Sequence, residues 1–184
     1  MSETMYNYEL GIIKDKIKDV EGFPIEGVTF KDMSPLLADN RAFRDACYIM
    51  AIQNKVPDYY VAMDARGFLF AAPMTRTSSS YDKAGLLLCR KKGKLPGKCV
   101  EQEYTLEYGK NVLELRADIA EPGSEVVIID DILATGGTAL AACKLCEKVG
   151  LKVLGVTVLM EIEGLNGREV LEKAGYRVNS VLRY

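Results

Sequence analysis

Val127-Ile128-Ile129-Asp130-Asp131-Ile132-Leu133-Ala134-Thr135-Gly136-Gly137-Thr138 is the stretch on which the fold turns. An apolar run of strand type ends in two adjacent carboxylates. A short loop follows, and then glycines and threonines open a helix. Paired carboxylates offer several acceptor sites and suit a cis-diol. Backbone N–H groups in a glycine-containing turn can converge on a phosphate, and a helix N-terminus favours negative charge. Thr135 and Thr138 add hydroxyl donors. The ligand this pattern implies is a ribose 5-phosphate.

Outward from this element, strand and helix patterns alternate. Toward the C-terminus, Thr138 to Lys148 predicts a helix stopped by Gly150, and Lys152 to Met160 is a continuously apolar strand of the buried parallel kind. A helix over Arg168 to Ala174 and a strand over Val178 to Leu182 close the chain. Toward the N-terminus, Tyr59 to Met63 predicts a strand running into the turn Asp64-Ala65-Arg66-Gly67 and a helix. Gly85 to Cys89 predicts another strand, meeting the basic run Arg90-Lys91-Lys92-Gly93-Lys94. Thr77 to Asp82 reads as loop.

Lys98 to Arg116 lacks helical period and reads as an extended ribbon or an excursion out of the core. Phe43, Ala46, Cys47, Met50 and Ala51 form the stripe of a helix capped by Asp39 or Asn40. Tyr6, Leu10, Ile13, Ile17 and Val20 predict a first helix ending near Gly22 and Pro24. Phe23 to Leu37 reads as loop with short extended pieces. The class is α/β, with a mainly parallel central sheet flanked by helices. Right-handed crossovers put the loops after Met63 and Ile129 on one sheet edge, where ligands of open α/β sheets bind.

The 184 residues suit a single domain. A net charge of −2 gives no global field for nucleic acid. No apolar run approaches the roughly 20 residues of a membrane span, and the first residues lack signal-peptide character. The expectation is a cytoplasmic protein that binds neither membrane nor nucleic acid. Its five cysteines read as reduced thiols, with Cys143 and Cys146 packing inside a helix. There is no histidine, so proton transfer falls to Glu, Asp, Lys, Tyr or Cys.

The Asp130-to-Thr138 element is neither a Walker A loop nor a dinucleotide fingerprint, because the Gly-Lys-Ser/Thr and G-x-G-x-x-G patterns are absent. It resembles the phosphoribosyl pyrophosphate signature of the type I phosphoribosyltransferases. Phe30-Lys31-Asp32-Met33-Ser34-Pro35, Ala65-Arg66-Gly67-Phe68-Leu69-Phe70, Arg90 to Gly97 and Tyr104-Thr105-Leu106-Glu107-Tyr108-Gly109 extend the likeness to the adenine-specific members, in the family's order.

That resemblance implies a reaction in which adenine and phosphoribosyl pyrophosphate give AMP and pyrophosphate with Mg²⁺, catalysed by a homodimer. It implies a hood over about residues 1–35 and a mobile lid over about 98–116. Asp130 and Asp131 would hold the ribose hydroxyls, and Ala134, Thr135, Gly136, Gly137 and Thr138 the 5′-phosphate. Arg66, Arg90, Lys94 and Tyr108 would serve the pyrophosphate, Arg90 reaching a neighbouring subunit. Glu107 would be the general acid/base. Phe30 and Ile132 would sandwich adenine while backbone groups of Thr29 and Lys31 read its edge. Mg²⁺ would bind through substrate oxygens and water, without a protein ligand cluster.

Two departures bear on affinity: Lys31 stands where the family often has Arg, and Ala71 where Gly is common, with an unusually polar Thr75 to Ser80 following. Two other readings use the same signature. A ligand-sensing regulator would need only the Asp-Asp and phosphate elements, and this chain also carries Glu107, the basic loop and the lid tyrosines. An enzyme for a 6-oxopurine would differ in the base pocket; the Leu-Glu-Tyr-Gly lid favours adenine.

Overall fold

The computed structural model describes residues 3–77, 84–106 and 109–184. Contacts divide the chain into two units, Met1–Ile49 and Met50–Tyr184.

In the first unit, α1 (Glu3–Asp15) is followed by a two-stranded antiparallel hairpin of β1 (Lys18–Glu21) and β2 (Thr29–Asp32). The first helix is therefore shorter than the apolar spacing predicts. Its end is tightened by i→i+3 bonds from Lys16 and Ile17 N–H to the carbonyls of Ile13 and Lys14. The β-branched Val20 then pairs across to Phe30. A short helix absent from the sequence expectation, α2 (Ser34–Ala38), starts with Pro35 in its first turn, where a missing N–H costs nothing. The helix α3 (Asn40–Ile52) begins as expected: Asp39 Oδ1 accepts the N–H groups of Arg41 and Ala42, both at 3.1 Å. Ala42, Ala46, Ile49 and Met50 form its buried stripe.

The second unit holds a seven-stranded sheet in the order β5-β6-β4-β3-β7-β8-β9. Its strands are β3 (Tyr59–Met63), β4 (Gly85–Lys91), β5 (Cys99–Leu106), β6 (Gly109–Arg116), β7 (Glu125–Leu133), β8 (Lys152–Glu161) and β9 (Val178–Arg183). The run from β4 through β3, β7 and β8 to β9 is parallel. In β7, Val126 to Ile129 are fully buried, and Val61, Ala62, Val156 and Val158 beside them match that burial. Such strands have no solvent face and need no polar alternation.

Among the described residues this unit also holds the α-helices α4 (Gly67–Met74), α5 (Gly137–Lys148) and α6 (Gly167–Lys173), with a 3-10 turn over Glu163–Leu165 before the last. Cys143 and Cys146 lie buried in α5 as packing residues.

The segment after Lys98 is an extended antiparallel ribbon, as expected, rather than an excursion out of the core. Its return strand β6 pairs antiparallel with β4 at Arg90 and Lys91, and buries Leu113 and Leu115. Leu113 and Leu115 alternate with Glu114 and Arg116 in a period-two pattern. The expected Thr77–Asp82 loop lies mostly outside the described residues.

Chain order sends β3 to β4 on one side and β7 to β8 on the other. The crevice between the carboxyl ends of β3 and β7 is thus a topological switch point.

Candidate functional site

A cavity of about 230 Å³ occupies that crevice. It is lined by Asp64, Ala65 and Arg66 after β3, and by every residue from Asp130 to Ala139 after the buried part of β7. Nine of the residues expected in a site, namely Arg66, Asp130, Asp131, Ile132, Ala134, Thr135, Gly136, Gly137 and Thr138, meet in this one wall.

The two loops come this close because Gly67 has no side chain. A Cβ there would lie 2.5 Å from the Ile129 carbonyl oxygen and 3.3 Å from the Asp130 Cα. The start of α4 therefore presses directly on the end of β7, and Arg66 is delivered beside the aspartates.

Asp130 Oδ1 accepts the Asp131 N–H at 2.9 Å. Arg66 Nε lies 3.0 Å from Asp131 Oδ2. That contact is ionic without hydrogen-bond alignment: Asp131 Oδ2 is buried and accepts no hydrogen bond among the described residues. Burial, the adjoining Asp131 carboxylate and a hydrogen bond to it push the Asp130 carboxyl well above the usual carboxylate range. Burial also raises the Asp131 carboxyl, against the opposing pull of Arg66. A buried carboxylate oxygen without a hydrogen-bond donor favours a hydroxyl donor arriving from a ligand.

Past the aspartates, Gly136 takes φ +82° as the N-cap of α5. This left-handed step turns the loop so that its amides and the helix N-terminus face the same cavity. Gly167, at the start of α6, backs the loop from behind.

The basic loop lies nearby. Arg90 Nε donates to Asp64 Oδ2 at 3.2 Å, Arg90 Nη1 donates to the Lys94 carbonyl at 3.2 Å, and the guanidinium sits 5.8 Å from the Phe68 ring centroid. Within the chain, Arg90 is thus held against the cavity wall through Asp64. Lys91 and Lys92 are exposed, and Lys92 pairs with Glu101 at 2.8 Å.

Thr29, Phe30 and Lys31 stand on the hairpin of the first unit. Phe30 packs edge-on to Phe23 at 5.2 Å, and Lys31 pairs with Asp19 at 2.7 Å. Glu107 and Tyr108 lie outside the described residues. Sequence reasoning missed Asp64 as a wall residue, although its place directly after a strand on the ligand edge is the signal that finds it. It also missed Gly167, whose partner loop is distant in sequence and leaves no local trace.

Known proteins resemble this chain along nearly its whole length. The phosphoribosyl transferase domain matches residues 48–182. An adenine phosphoribosyltransferase of Caldicellulosiruptor saccharolyticus is 47% identical over 176 residues, covering 94% of this chain and 96% of its own. The crystal structure of adenine phosphoribosyltransferase from Rhodothermus marinus superposes with a TM-score of 0.86 at 36% identity, over 97% of this chain and 99% of that one. The enzyme from Saccharomyces cerevisiae, solved with an imino-altritol bisphosphate and adenine, has a TM-score of 0.85 at 32% identity, over 96% and 99% of the two chains.

Proposed function

The chain belongs to the phosphoribosyltransferase family, in its adenine-specific branch, and from that premise we propose how its residues divide the work. The reaction transfers the 5-phosphoribosyl group from phosphoribosyl pyrophosphate to adenine, giving AMP and pyrophosphate. The observation that carries the assignment of parts is a single cavity in which two raised-pKa carboxylates run straight into a left-handed glycine and a helix N-terminus.

Asp130 and Asp131 hold the 2′- and 3′-hydroxyls. A hydroxyl donor satisfies the Asp131 oxygen that otherwise accepts nothing among the described residues. The amides and hydroxyls of Ala134 to Thr138 hold the 5′-phosphate. With both ends fixed, the anomeric carbon is held between base and leaving group, and positioning supplies much of the rate. Positive charge building on the ring is stabilised by the nearby carboxylates.

Arg66, with Arg90 and Lys94 of the basic loop and Tyr108, carries the pyrophosphate. Arg66 supports this reading through its place on the cavity wall, its side chain 45% exposed. Glu107 handles the adenine ring proton. Ile132 lines the cavity, and Thr29, Phe30 and Lys31 belong to adenine recognition. Phe30→Leu should raise KM for adenine while leaving KM for phosphoribosyl pyrophosphate in place.

The cavity's donors are carboxylates, hydroxyls, backbone amides and a guanidinium, without thiol or imidazole. Hard oxygens suit Mg²⁺, and among the described residues no cluster of three or more acidic or cysteine side chains stands ready to cage it. Substrate oxygens and water would complete its coordination. When bound, the cation would neutralise the departing diphosphate. A homodimer completes the proposal; light scattering of a fully active monomer would refute that part. Among the described residues no helix is long and apolar enough to cross a membrane.

The activity is tested by incubating the protein with Mg²⁺, phosphoribosyl pyrophosphate and each purine base in turn, then identifying the nucleotide by chromatography. AMP from adenine alone is the expected result. IMP or GMP would move the chain to 6-oxopurines, and no nucleotide at all would restore the regulator reading.

A further inference from the structure

Glu114 is a carboxylate that the proposed chemistry does not use, yet it is only 4% exposed. It stands opposite Arg90 in the antiparallel pair of β4 and β6. It accepts three consecutive backbone N–H groups from the tip of the basic loop. Gly93 donates to Oε2 at 3.0 Å, while Lys94 and Leu95 donate to Oε1 at 2.7 and 2.6 Å. Gly93 has φ +81°, the left-handed step that lets successive amides converge on one anion.

Two consequences follow from that geometry. The amides of the loop tip are already engaged by an internal carboxylate, so what the loop can offer a ligand is its side chains. The tip is also tied to the cavity by a short chain of contacts: the Lys94 carbonyl accepts from Arg90, Arg90 donates to Asp64, and Asp64 lines the cavity.

We propose that Glu114 is a positioning residue for the diphosphate end of the site, fixing the loop conformation that aims Arg90 and Lys94. The proposal rests on the assignment of those two cations to pyrophosphate. Burial alone would raise the Glu114 carboxyl, but the three amide donors and Lys92 outweigh it and hold it below the usual range. It is therefore an ionised acceptor at neutral pH. Glutamine in its place keeps one acceptor oxygen for Lys94 and Leu95 and turns an NH₂ toward the Gly93 N–H, a donor facing a donor.

The test is isothermal titration of the full chain, Mg²⁺ present, with pyrophosphate and separately with AMP. The variants are Glu114→Gln, Glu114→Asp, Arg90→Gln and Lys94→Met. Glu114→Gln is expected to weaken pyrophosphate about tenfold and AMP by no more than about twofold. Glu114→Asp keeps the charge but retracts it, and should give the same selective loss in smaller measure. If Glu114→Gln does not fold, Glu114→Asp is read by the same criterion.

Selective loss supports the proposal. Loss in Arg90→Gln and Lys94→Met without loss in the Glu114 variants overturns the positioning role alone. No loss in any of the four removes the loop from pyrophosphate binding and the positioning role with it. Equal weakening of both ligands marks a general packing role for Glu114 and also overturns the proposal.

Discussion

Gly136 and Gly167 meet backbone to backbone. A Cβ on Gly136 would lie 2.7 Å from the Gly167 carbonyl oxygen, and a Cβ on Gly167 would overlap the Ala134 carbonyl and come within 3.0 Å of the Gly136 nitrogen. The turn into α6 is therefore the floor on which the proposed phosphate loop rests. It is itself held by Arg168, the next residue, whose guanidinium binds the buried Glu161 at 2.8 and 2.5 Å.

Gly167→Ala isolates that contact. Gly167 has no left-handed φ, so alanine adds a methyl without backbone strain at its own position. Backbone atoms are what the methyl meets, and they yield poorly. The expected outcome is a cost in stability of about 1–3 kcal/mol and a loss of AMP affinity of about tenfold or more. Thermal unfolding and calorimetric titration measure the two. Wild-type values in both would show that the loop does not depend on this floor.

Asp130→Asn separates binding from stability. In the unliganded protein, burial and the neighbouring carboxylate hold the Asp130 carboxyl well above its ordinary value of 3.8. A carboxyl with a raised folded pKa costs stability as pH rises from the unfolded value through the folded one. The amide removes that cost and still accepts the Asp131 N–H. Asp130→Asn should therefore melt a few degrees higher than wild type at neutral pH, the gain shrinking as pH falls toward 3.8, while binding AMP more weakly. A lower melting temperature together with unchanged AMP affinity would contradict both halves of the argument.

These two residues show why part of the site could be read directly from the chain and part could not. Asp130 and its loop are contiguous, and the role proposed for them rests on residue type and order along twelve positions. The strand from Tyr59 to Met63 matches its expected bounds because its apolar run is framed by Pro57 and Asp64. Gly167 and Glu114 act on residues more than fifteen positions away, through backbone contacts that no local pattern records. The helix α1 ends before its apolar spacing does for a related reason. Ile17 and Val20 continue the helical spacing, but cross-strand pairing with Phe30 and its neighbours wins over it.

Glu125 offers a pH test away from the site. Its carboxylate meets Lys152 and Lys55 at 2.7 and 2.8 Å, and those two partners lower its pKa to about 2 from 4.5. A depressed carboxyl contributes stability above its unfolded pKa and loses it as pH falls through the folded one. Wild type should melt above Glu125→Gln at neutral pH, and the gap should close between pH 4.5 and about 2. The lysines are exposed, so the gap is small and shrinks with salt. Melting curves across that range at two salt concentrations decide it; a gap independent of pH would refute the ion-pair account.

The general acid/base proposed above, Glu107, rests on family likeness and lies outside the described residues. The chain has no histidine. Asp130 and Asp131 are committed to the sugar in the proposed division of work. Burial raises the thiols of all five cysteines, Cys47 and Cys146 to about 12, so none supplies a thiolate near neutral pH. Arginine stays protonated and Lys94 stands on the pyrophosphate loop. Glu107 is the carboxylate within the Leu-Glu-Tyr-Gly stretch that resembles the adenine-specific enzymes. Glu107→Gln keeps size and polarity but cannot take a proton. It should lower kcat by about 10²- to 10⁴-fold, flatten the acid limb of the rate–pH profile, and leave phosphoribosyl pyrophosphate and AMP binding within about twofold. A kcat within about threefold of wild type, below any range expected for lost proton transfer, would take Glu107 out of the chemistry and return the search to the tyrosines of the same ribbon.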